Sequence, residues 1–384
     1  MTDGFDLILA GGRVIDPAEG IDGPAEVAFK DGKVAAVGQA LSRDGAPDVR
    51  DVAGAIVAPG LIDLHTHVYW GGTSIGIDPT DYARRSGTTT MVDAGTAGAG
   101  NFAGFRKHVI EPIDPRVFAY LNISFPGIFA FSKEVMVGEC LDLNLLHPIA
   151  CRNVAKMNAD LIIGIKVRIG ARTSGSNGVQ PLEVAIEVAE DAGLPVMCHL
   201  DWPPPSRMEV LNRLRPGDVL THCFRPFPGA PSTSGGAVRE EVAAAREKGI
   251  FFDIGHGIGS FGFATAEAML DNGFLPDAIS SDVHCLSIEG PAYDQLVTLS
   301  KFLHLGMDIP EIIRATTEGP ARAISKPELG SLKPGTIGDA TLLRVIDDKV
   351  TYVDSLGETR DGNQRFSLAG VVLDGKWWDD GEAL

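Results

Sequence analysis

With 384 residues, the chain is long enough to bury a large core and too long for one average domain, so we expect one large domain with a smaller companion. Its 51 Asp and Glu outnumber its 33 Lys and Arg, and the resulting formal charge of -18 repels phosphate backbones and anionic membranes. The composition therefore argues against nucleic acid and against a membrane as partners.

The sequence indicates neither a membrane span nor a secretion signal. No stretch reaches the roughly 18 to 20 uncharged apolar residues that a span requires, and the opening MTDGFDLILAGG lacks a basic region before an apolar core. The cysteines are odd in number and scattered, which favours reduced thiols over a disulfide framework: Cys140, Cys151, Cys198, Cys223 and Cys285. We therefore predict a cytoplasmic protein.

The two ends of the chain share a β-rich character. Residues 1-57 consist of short apolar runs broken by turn signals, such as DLILAGG and AEVAFKDGKVAAVG. Residues 328-384 show the same pattern in GDATLLRV and SLAGVVLDGK. Because these ends flank a middle of different character, we predict a small β-sandwich domain formed from both termini.

Residues 58-327 alternate short runs rich in Val, Ile, Phe and Thr with longer helical segments such as LEVAIEVAEDAG, which is typical of βα units around a parallel sheet. The β-type runs, in chain order, are IVAPGLIDLHTH, TTTMVDAG, VFAYLNIS, LIIGIKVRI, PVMCHLD, DVLTHCF, IFFDIGH and AISSDVH. Eight units in roughly 270 residues match the size of a barrel. We therefore predict the α/β class and a (β/α)8 TIM barrel, with a doubly wound open sheet as the alternative.

Polar residues follow these runs at their C-terminal ends, which in a parallel barrel all open on one face. His65 and His67 end the first run, and their spacing of two turns both side chains to the same face, where they can hold one metal ion. A single histidine at a strand end is more often a hydrogen-bonded structural residue. Six potential ligands on five strands favour a metal site.

Lys166 lies inside the apolar run LIIGIKVRI, where an unpaired ammonium would cost several kcal/mol or lose its charge. It either pairs with a buried carboxylate or has reacted with CO2 to give a carbamate that bridges two metal ions. Arg168 shares its face and suits a substrate carboxylate, with an ion pair to a structural carboxylate as the equal alternative.

Later strands add further candidates. His199 and His222 end consecutive runs and can hold a second ion together. Asp282 ends the eighth run, where a carboxylate can bind one metal and also exchange a proton with a water, which makes it the predicted catalytic residue. The remaining substrate-binding candidates are Tyr69, His256 and His284, for which a structural role is the alternative.

The pattern resembles the amidohydrolase superfamily, specifically the two-metal branch that contains dihydroorotases, hydantoinases and acylamino-acid deacylases. The resemblance spans nearly the whole chain and rests on PGLIDLHTH, GIKVR, MCHLD, THCF, SSDVH and KPGTIGDATLL. DAGTAGAGNFAGFR and DIGHGIGSF look most like its amidohydrolase/deacetylase group. The chain departs from that group around Trp70 and at Arg225 and Pro226, in loops that shape the pocket, which leaves the exact substrate open.

The resemblance implies two divalent metal ions, expected to be zinc, and an N6-carboxylated Lys166 that bridges them. The implied ligands are His65, His67 and Asp282 for one ion and His199 and His222 for the other. It also implies that a metal-bridging hydroxide removes the acyl group of an N-acyl amino acid or an O-acetyl 2-hydroxy acid.

Two other functions stay open at this stage. A cyclic-amide hydrolase of the dihydroorotase or hydantoinase type would use the same metals and base. A non-catalytic barrel that serves as a binding or assembly module is the alternative from a different class, since a fold by itself does not establish activity. The expected partner is a small-molecule carboxylate, and the sequence also allows a homo-oligomer.

Overall fold

The computed structural model describes residues 4-378, in which strands predominate at the two ends and strands and helices alternate between residues 61 and 271. The strands are β1 Leu7–Asp16, β2 Ile21–Lys30, β3 Lys33–Gly38, β4 Asp48–Asp51, β5 Ile56–Pro59, β6 Leu61–Thr66, β7 Thr88–Gly98, β8 Arg116–Asn122, β9 Ile162–Ile169, β10 Val196–Leu200, β11 Val219–Thr221, β12 Phe251–Phe252, β13 Ala340–Val353, β14 Thr359–Leu373 and β15 Lys376–Trp377.

The α-helices are α1 Pro79–Ser86, α2 Phe102–Phe105, α3 Pro148–Met157, α4 Gln180–Ala192, α5 Arg207–Arg213, α6 Glu240–Lys248, α7 Phe263–Asp271, α8 Gln295–His304, α9 Ile309–Arg314 and α10 Glu318–Ala323. A π-helical turn, Arg106–Ile110, continues α2, and 3-10 turns occupy Pro17–Glu19, Leu143–Leu145, Gly175–Asn177 and Pro327–Leu329. In the described part of the chain, no helix has the length and apolar character needed to cross a membrane.

Strands β6 to β12 form a parallel sheet in which each strand pairs with the next in chain order. Every residue of β7 and of β9 is buried, as expected where helices cover one face of a parallel sheet and side chains fill the other. The order follows the sequence because each helical segment returns the chain to the next position in the sheet. Seven of the predicted runs thus lie side by side.

The eighth predicted run, AISSDVH, does not form a regular strand. It touches both edges of the parallel sheet through isolated parallel bridges, Asp253 to Ala278 beside β12 and Thr66 to Val283 beside β6. Asp282 has a φ of 48°, a left-handed backbone that an extended strand does not accommodate. Asp282 therefore interrupts the predicted eighth strand.

The second sheet contains strands from both ends of the chain, in the order β15-β14-β13-β5-β1-β2-β3, with β4 paired to β1. The two ends meet where β5 runs antiparallel to β13, with Val57 opposite Leu342. A common apolar core beneath the sheet includes Val57, Leu342 and Phe29. In the described residues, the strands from the two ends of the chain join into one hydrogen-bonded sheet. The two-layer sandwich and its boundaries at residues 57 and 328 stay predictions.

A buried lysine connects the sheet of the termini with the parallel sheet. Lys301 on α8 donates hydrogen bonds to the carbonyls of Pro291 and Val353, each at 2.7 Å, and its Nζ lies 2.7 Å from Nε2 of His256. Val353 ends β13, whereas His256 follows β12. One ammonium thus satisfies acceptors from three separate segments.

We predict that Lys301→Met lowers the free energy of unfolding by about 2 to 5 kcal/mol, because it leaves buried carbonyl oxygens without a donor. Urea denaturation measures the change. The matched control is Lys349→Met on the exposed part of β13, which should change stability by less than about 0.5 kcal/mol. Equal effects of the two substitutions would contradict the role of Lys301.

Candidate metal centre

The parallel sheet brings all six predicted ligands to one end. His65 lies near the end of β6 and His67 just beyond it; the others are Lys166 on β9, His199 on β10, His222 directly after β11 and Asp282 in the irregular eighth segment. His199 is partly accessible, and the other five are buried. The placement follows from the common direction of parallel strands, whose carboxyl ends lie on the same side.

Three of these residues form a compact cluster. One ligand atom from each of His65, His67 and Asp282 can be chosen so that all three lie within 4.8 Å of one another. Oδ1 of Asp282 lies 3.4 Å from Nε2 of His65 and 3.2 Å from Nε2 of His67. Residue 257 must be glycine, since a Cβ there would lie 2.1 Å from Oδ2 of Asp282 and its φ is 51°.

A second pair of imidazoles lies beside this cluster. Nδ1 of His199 and Nε2 of His222 face each other at 2.7 Å, and the ring centroids of His65 and His222 are 5.0 Å apart. Nζ of Lys166 lies 3.4 Å from Nε2 of His65. The lysine therefore ends at the cluster, next to the second pair.

Hydrogen bonds on the far side of the rings set which nitrogen can act as a ligand. Nδ1 of His222 donates to the carbonyl of Gly255 at 2.7 Å. The hydroxyl of Thr221 donates to Asp253 at 2.7 Å, so it accepts from Nδ1 of His65, also at 2.7 Å. Nε2 of both histidines then keeps its lone pair. Metal-binding histidines in proteins show the same arrangement.

Burial sets the charge of the site. It lowers the pKa of all four histidines, so that the imidazoles are neutral at pH 7. Burial lowers the pKa of Lys166 to about 8, and the same cause raises the pKa of Asp282 to about 6. Neutral imidazoles with one carboxylate are the ligand types that zinc and similar divalent ions prefer. The residues present therefore fit a divalent metal centre.

A cavity of about 250 Å³ opens onto this centre. Of the predicted site residues it exposes His65, His67, Arg168, His199, Asp282 and His284. The other residues in its wall are Ile75, Phe131, Met136, Arg172, Trp202, Arg225, Ile258, Gly259 and Ser260. Lys166 and His222 are not among the residues of this wall.

Two of the predicted substrate contacts lie away from the cavity. The ring of Tyr69 stacks on Phe105 with centroids 4.7 Å apart, and its hydroxyl donates to the carbonyl of Asn101. His256 stacks on Phe261 and contacts Lys301. In the structure described here, both side chains are engaged in packing and hydrogen bonds outside the cavity wall.

Arg168 reaches the cavity but already has an acidic partner. Its Nε lies 3.0 Å from Oε1 of Glu139, and both side chains are buried. Glu139 belongs to the long segment between β8 and α3, and sequence reasoning missed it because nothing in that irregular segment marks a carboxylate as buried. Thr221 and Asp253 were missed as well, although their positions beside His222 and within DIGH were a usable signal.

The comparisons with known proteins agree with this geometry. A profile of the amidohydrolase family matches residues 56-378. A deacetylase from Brucella anthropi is 36% identical over 344 residues, which make up 90% of this chain and 85% of that protein. A crystal structure of an adenine deaminase superimposes with a TM-score of 0.91 at 31% identity, covering 98% of this chain and 100% of the other. One of a dihydroorotase gives 0.87 at 33%, covering 97% of each. As the sequence resemblance predicted, the chain belongs to the amidohydrolase family and is a hydrolase acting on carbon-nitrogen bonds other than peptide bonds.

Proposed function

We propose that the protein is a metal-dependent deacetylase that removes the acyl group of an N-acyl amino acid or of an O-acetyl 2-hydroxy acid. The observation that supports it most is the shared cavity, whose wall contains the cluster of His65, His67 and Asp282 together with Arg168 and Arg225. Such a cavity suits a small molecule with a hydrolysable carbonyl at one end and a carboxylate at the other. The similarity to a protein named deacetylase supports the same reaction.

The proposed cofactors are two zinc ions and a carboxylated Lys166. The ligands would be His65, His67 and Asp282 for one ion, His199 and His222 for the other, with Lys166 between them. When bound, such ions polarise a carbonyl and lower the pKa of a water from about 15.7 to near 7. The lowered pKa of Lys166 supports the carbamate, because the uncharged amine is the form that attacks CO2.

Asp282 is the proposed catalytic residue because its two oxygens can take different tasks. Oδ1 contacts Nε2 of both His65 and His67, which leaves Oδ2 for the proton of the attacking water. The same carboxyl group then delivers the proton to the leaving amine or alkoxide. This transfer needs no other acid in the cavity.

The charge of the cavity favours an anionic substrate. Arg168, Arg172 and Arg225 all lie in its wall, and a neutral purine or an uncharged hydantoin offers them no anionic group. A carboxylated cyclic amide does, so ring opening of the dihydroorotase type is the second candidate, favoured by the similarity to a structure of that name.

The architectural part of the proposal concerns the two domains. We infer that residues 58-327 form a complete (β/α)8 barrel in which segment 278-283 takes the eighth position between β12 and β6. Residues 1-57 and 328-384 would form the β-sandwich domain around β5 and β13.

Turnover of a defined substrate panel tests the activity. The purified, zinc-supplemented protein is incubated with N-acetyl D- and L-amino acids, O-acetyl 2-hydroxy acids, dihydroorotate, hydantoins and adenine, and product release is followed. We expect hydrolysis of acylated acids of one chirality. Turnover of the cyclic amides alone would show that the second candidate is right, and turnover of adenine alone would contradict both.

We predict that Asp282→Asn lowers kcat by roughly 10²- to 10⁴-fold, because the amide cannot accept the proton. Circular dichroism should show an intact fold. Asp271→Asn, at the exposed end of α7, is the matched control and should leave kcat unchanged. Comparable activity of the Asp282 variant and the control would place the base elsewhere.

Lys166→Ala tests the bridging carbamate through the metal content. The substitution should reduce bound zinc, measured by mass spectrometry, from about two ions per chain towards one or none. Added acetate or propionate should restore part of the zinc and of the activity, because a small carboxylate can occupy the place of the carbamate. Unchanged zinc content in the variant would show that Lys166 does not bind metal.

A further inference from the structure

Buried polar atoms without a hydrogen bond occur in the cavity wall and in the segments next to it. Six of the ten such side-chain atoms in residues 4-378 belong to Glu139, Arg168, Thr173, Asp201 and Arg225. Two of the six, Nε of Arg168 and Oε1 of Glu139, form the ion pair described above, and the other four have no partner. Arg168 and Arg225 line the cavity, and Thr173 and Asp201 lie in the segments that follow β9 and β10. Buried polar groups in native proteins nearly always have partners, so this wall points to a polar ligand.

The two buried arginines of this wall differ in their partners. Arg168 forms an ion pair with Glu139, as described above. Arg225 has no carboxylate within 4 Å among the described residues, and its one hydrogen bond, from Nη1 to the carbonyl of Gly259, is long at 3.4 Å. Its Nε is buried without any partner. Arg225 is thus the uncompensated cation of the wall.

The position of Arg225 relative to the metal centre is fixed by its surroundings. Its backbone N–H donates to the carbonyl of His222, so one tight turn joins it to a proposed metal ligand. Gly229 packs against its stem, where a Cβ would lie 2.7 Å from Cδ of Arg225. The guanidinium is therefore held at a set distance from the centre, as an anchor for a substrate must be.

The partners of the charged groups give the class of ligand. The arginines Arg168, Arg172 and Arg225 are equal in number to the carboxylates Glu139, Asp201 and Asp282, but Arg225 is buried without a carboxylate at ion-pair distance. Asp201 acts on Arg225 through space but does not reach it within ion-pair distance. A buried guanidinium without an ion-pair partner suits a carboxylate of the ligand.

We propose that Arg225, and not Arg168, is the principal anchor of the substrate carboxylate, because Glu139 already neutralises Arg168. This inference rests on the proposed deacetylase function and names the subsite that selects its substrate. A buried cation without a partner is unfavourable in the free protein, and the carboxylate of the ligand relieves that cost. Arg225 therefore lowers the stability of the free protein and increases the affinity for a carboxylate ligand.

Arg225→Gln separates binding from stability. The Michaelis constant KM for the best N-acetyl amino acid should rise about 30-fold or more, whereas kcat changes little, because a buried charged hydrogen bond to the substrate is lost. The corresponding N-acetyl amino acid amide should be hydrolysed as by the wild type. The melting temperature Tm should stay the same or increase, since an unpaired buried charge is removed.

Four companion variants give the controls. Arg168→Gln should lower Tm, because it leaves Glu139 buried without a partner, and adding Glu139→Gln should restore it. Arg172→Gln should raise KM only about threefold, since Arg172 is exposed to water. Arg225→Lys keeps the charge without the bidentate geometry and should recover part of the affinity.

A binding measurement that needs no turnover separates this inference from the proposed function. Calorimetric titration of the zinc-loaded protein with isobutyrate and with the neutral isobutyramide should show a preference for the acid, which Arg225→Gln removes. If the substrate panel gives no deacetylation, this preference and its loss still support the anchor. Equal losses for acid and amide, a loss of preference in Arg168→Gln instead, or a fall of Tm in Arg225→Gln as large as in Arg168→Gln would overturn it.

Discussion

The burial of four imidazoles and a carboxylate at the ends of parallel strands is the constraint on which the rest of the site depends. Removed from water, a ring needs a partner for its second nitrogen, and His65, His67 and His222 find one in Thr221, Thr96 and the carbonyl of Gly255, respectively. Asp253 in turn accepts from Thr221 and from Ser280, which joins β11 and β12 to the irregular eighth segment. The hydrogen bonds that orient the ligands are therefore also those that hold this end of the sheet together.

The backbone is strained at two of the ligands. His222 and Asp282 have φ values of 62° and 48°, a left-handed conformation that costs non-glycine residues of order 1 to 3 kcal/mol. At Asp282 this conformation ends the extended run, and Oδ1 of the carboxylate lies within 3.4 Å of Nε2 of both His65 and His67. The hydrogen bond from the Asp282 N–H to the carbonyl of His65, at 2.7 Å, holds it there. The strained backbone of Asp282 is thus held to the regular sheet by His65 of β6.

The parts of the site that follow from strand periodicity could be predicted from the sequence, and the parts that depend on irregular segments could not. The six predicted ligands lie together because five of them lie on or just after strands of the parallel sheet, and Asp282 lies in the segment that bridges the two edges of that sheet. The eighth strand was wrong as a regular element, since no pattern in AISSDVH announces a left-handed aspartate. Glu139 and the partnerless state of Arg225 were out of reach for the same reason: both depend on how long loops fold back over the cavity.

The overall charge and the charge of the cavity have opposite signs, and the difference bears on selectivity. At physiological ionic strength, exposed charges are screened beyond about 8 Å, so an anion inside the cavity responds mainly to the arginines in its wall. Outside it, the net charge of -18 disfavours polyanions such as nucleic acids. A small acid with one carboxylate is repelled by the surface less than a polyanion is, and its carboxylate suits the buried guanidinium of Arg225 in the cavity. The charge of the surface and the arginines of the cavity therefore favour the same class of ligand. The shape of the loops around Phe131, Trp202 and Ile258 then determines which member of this class binds.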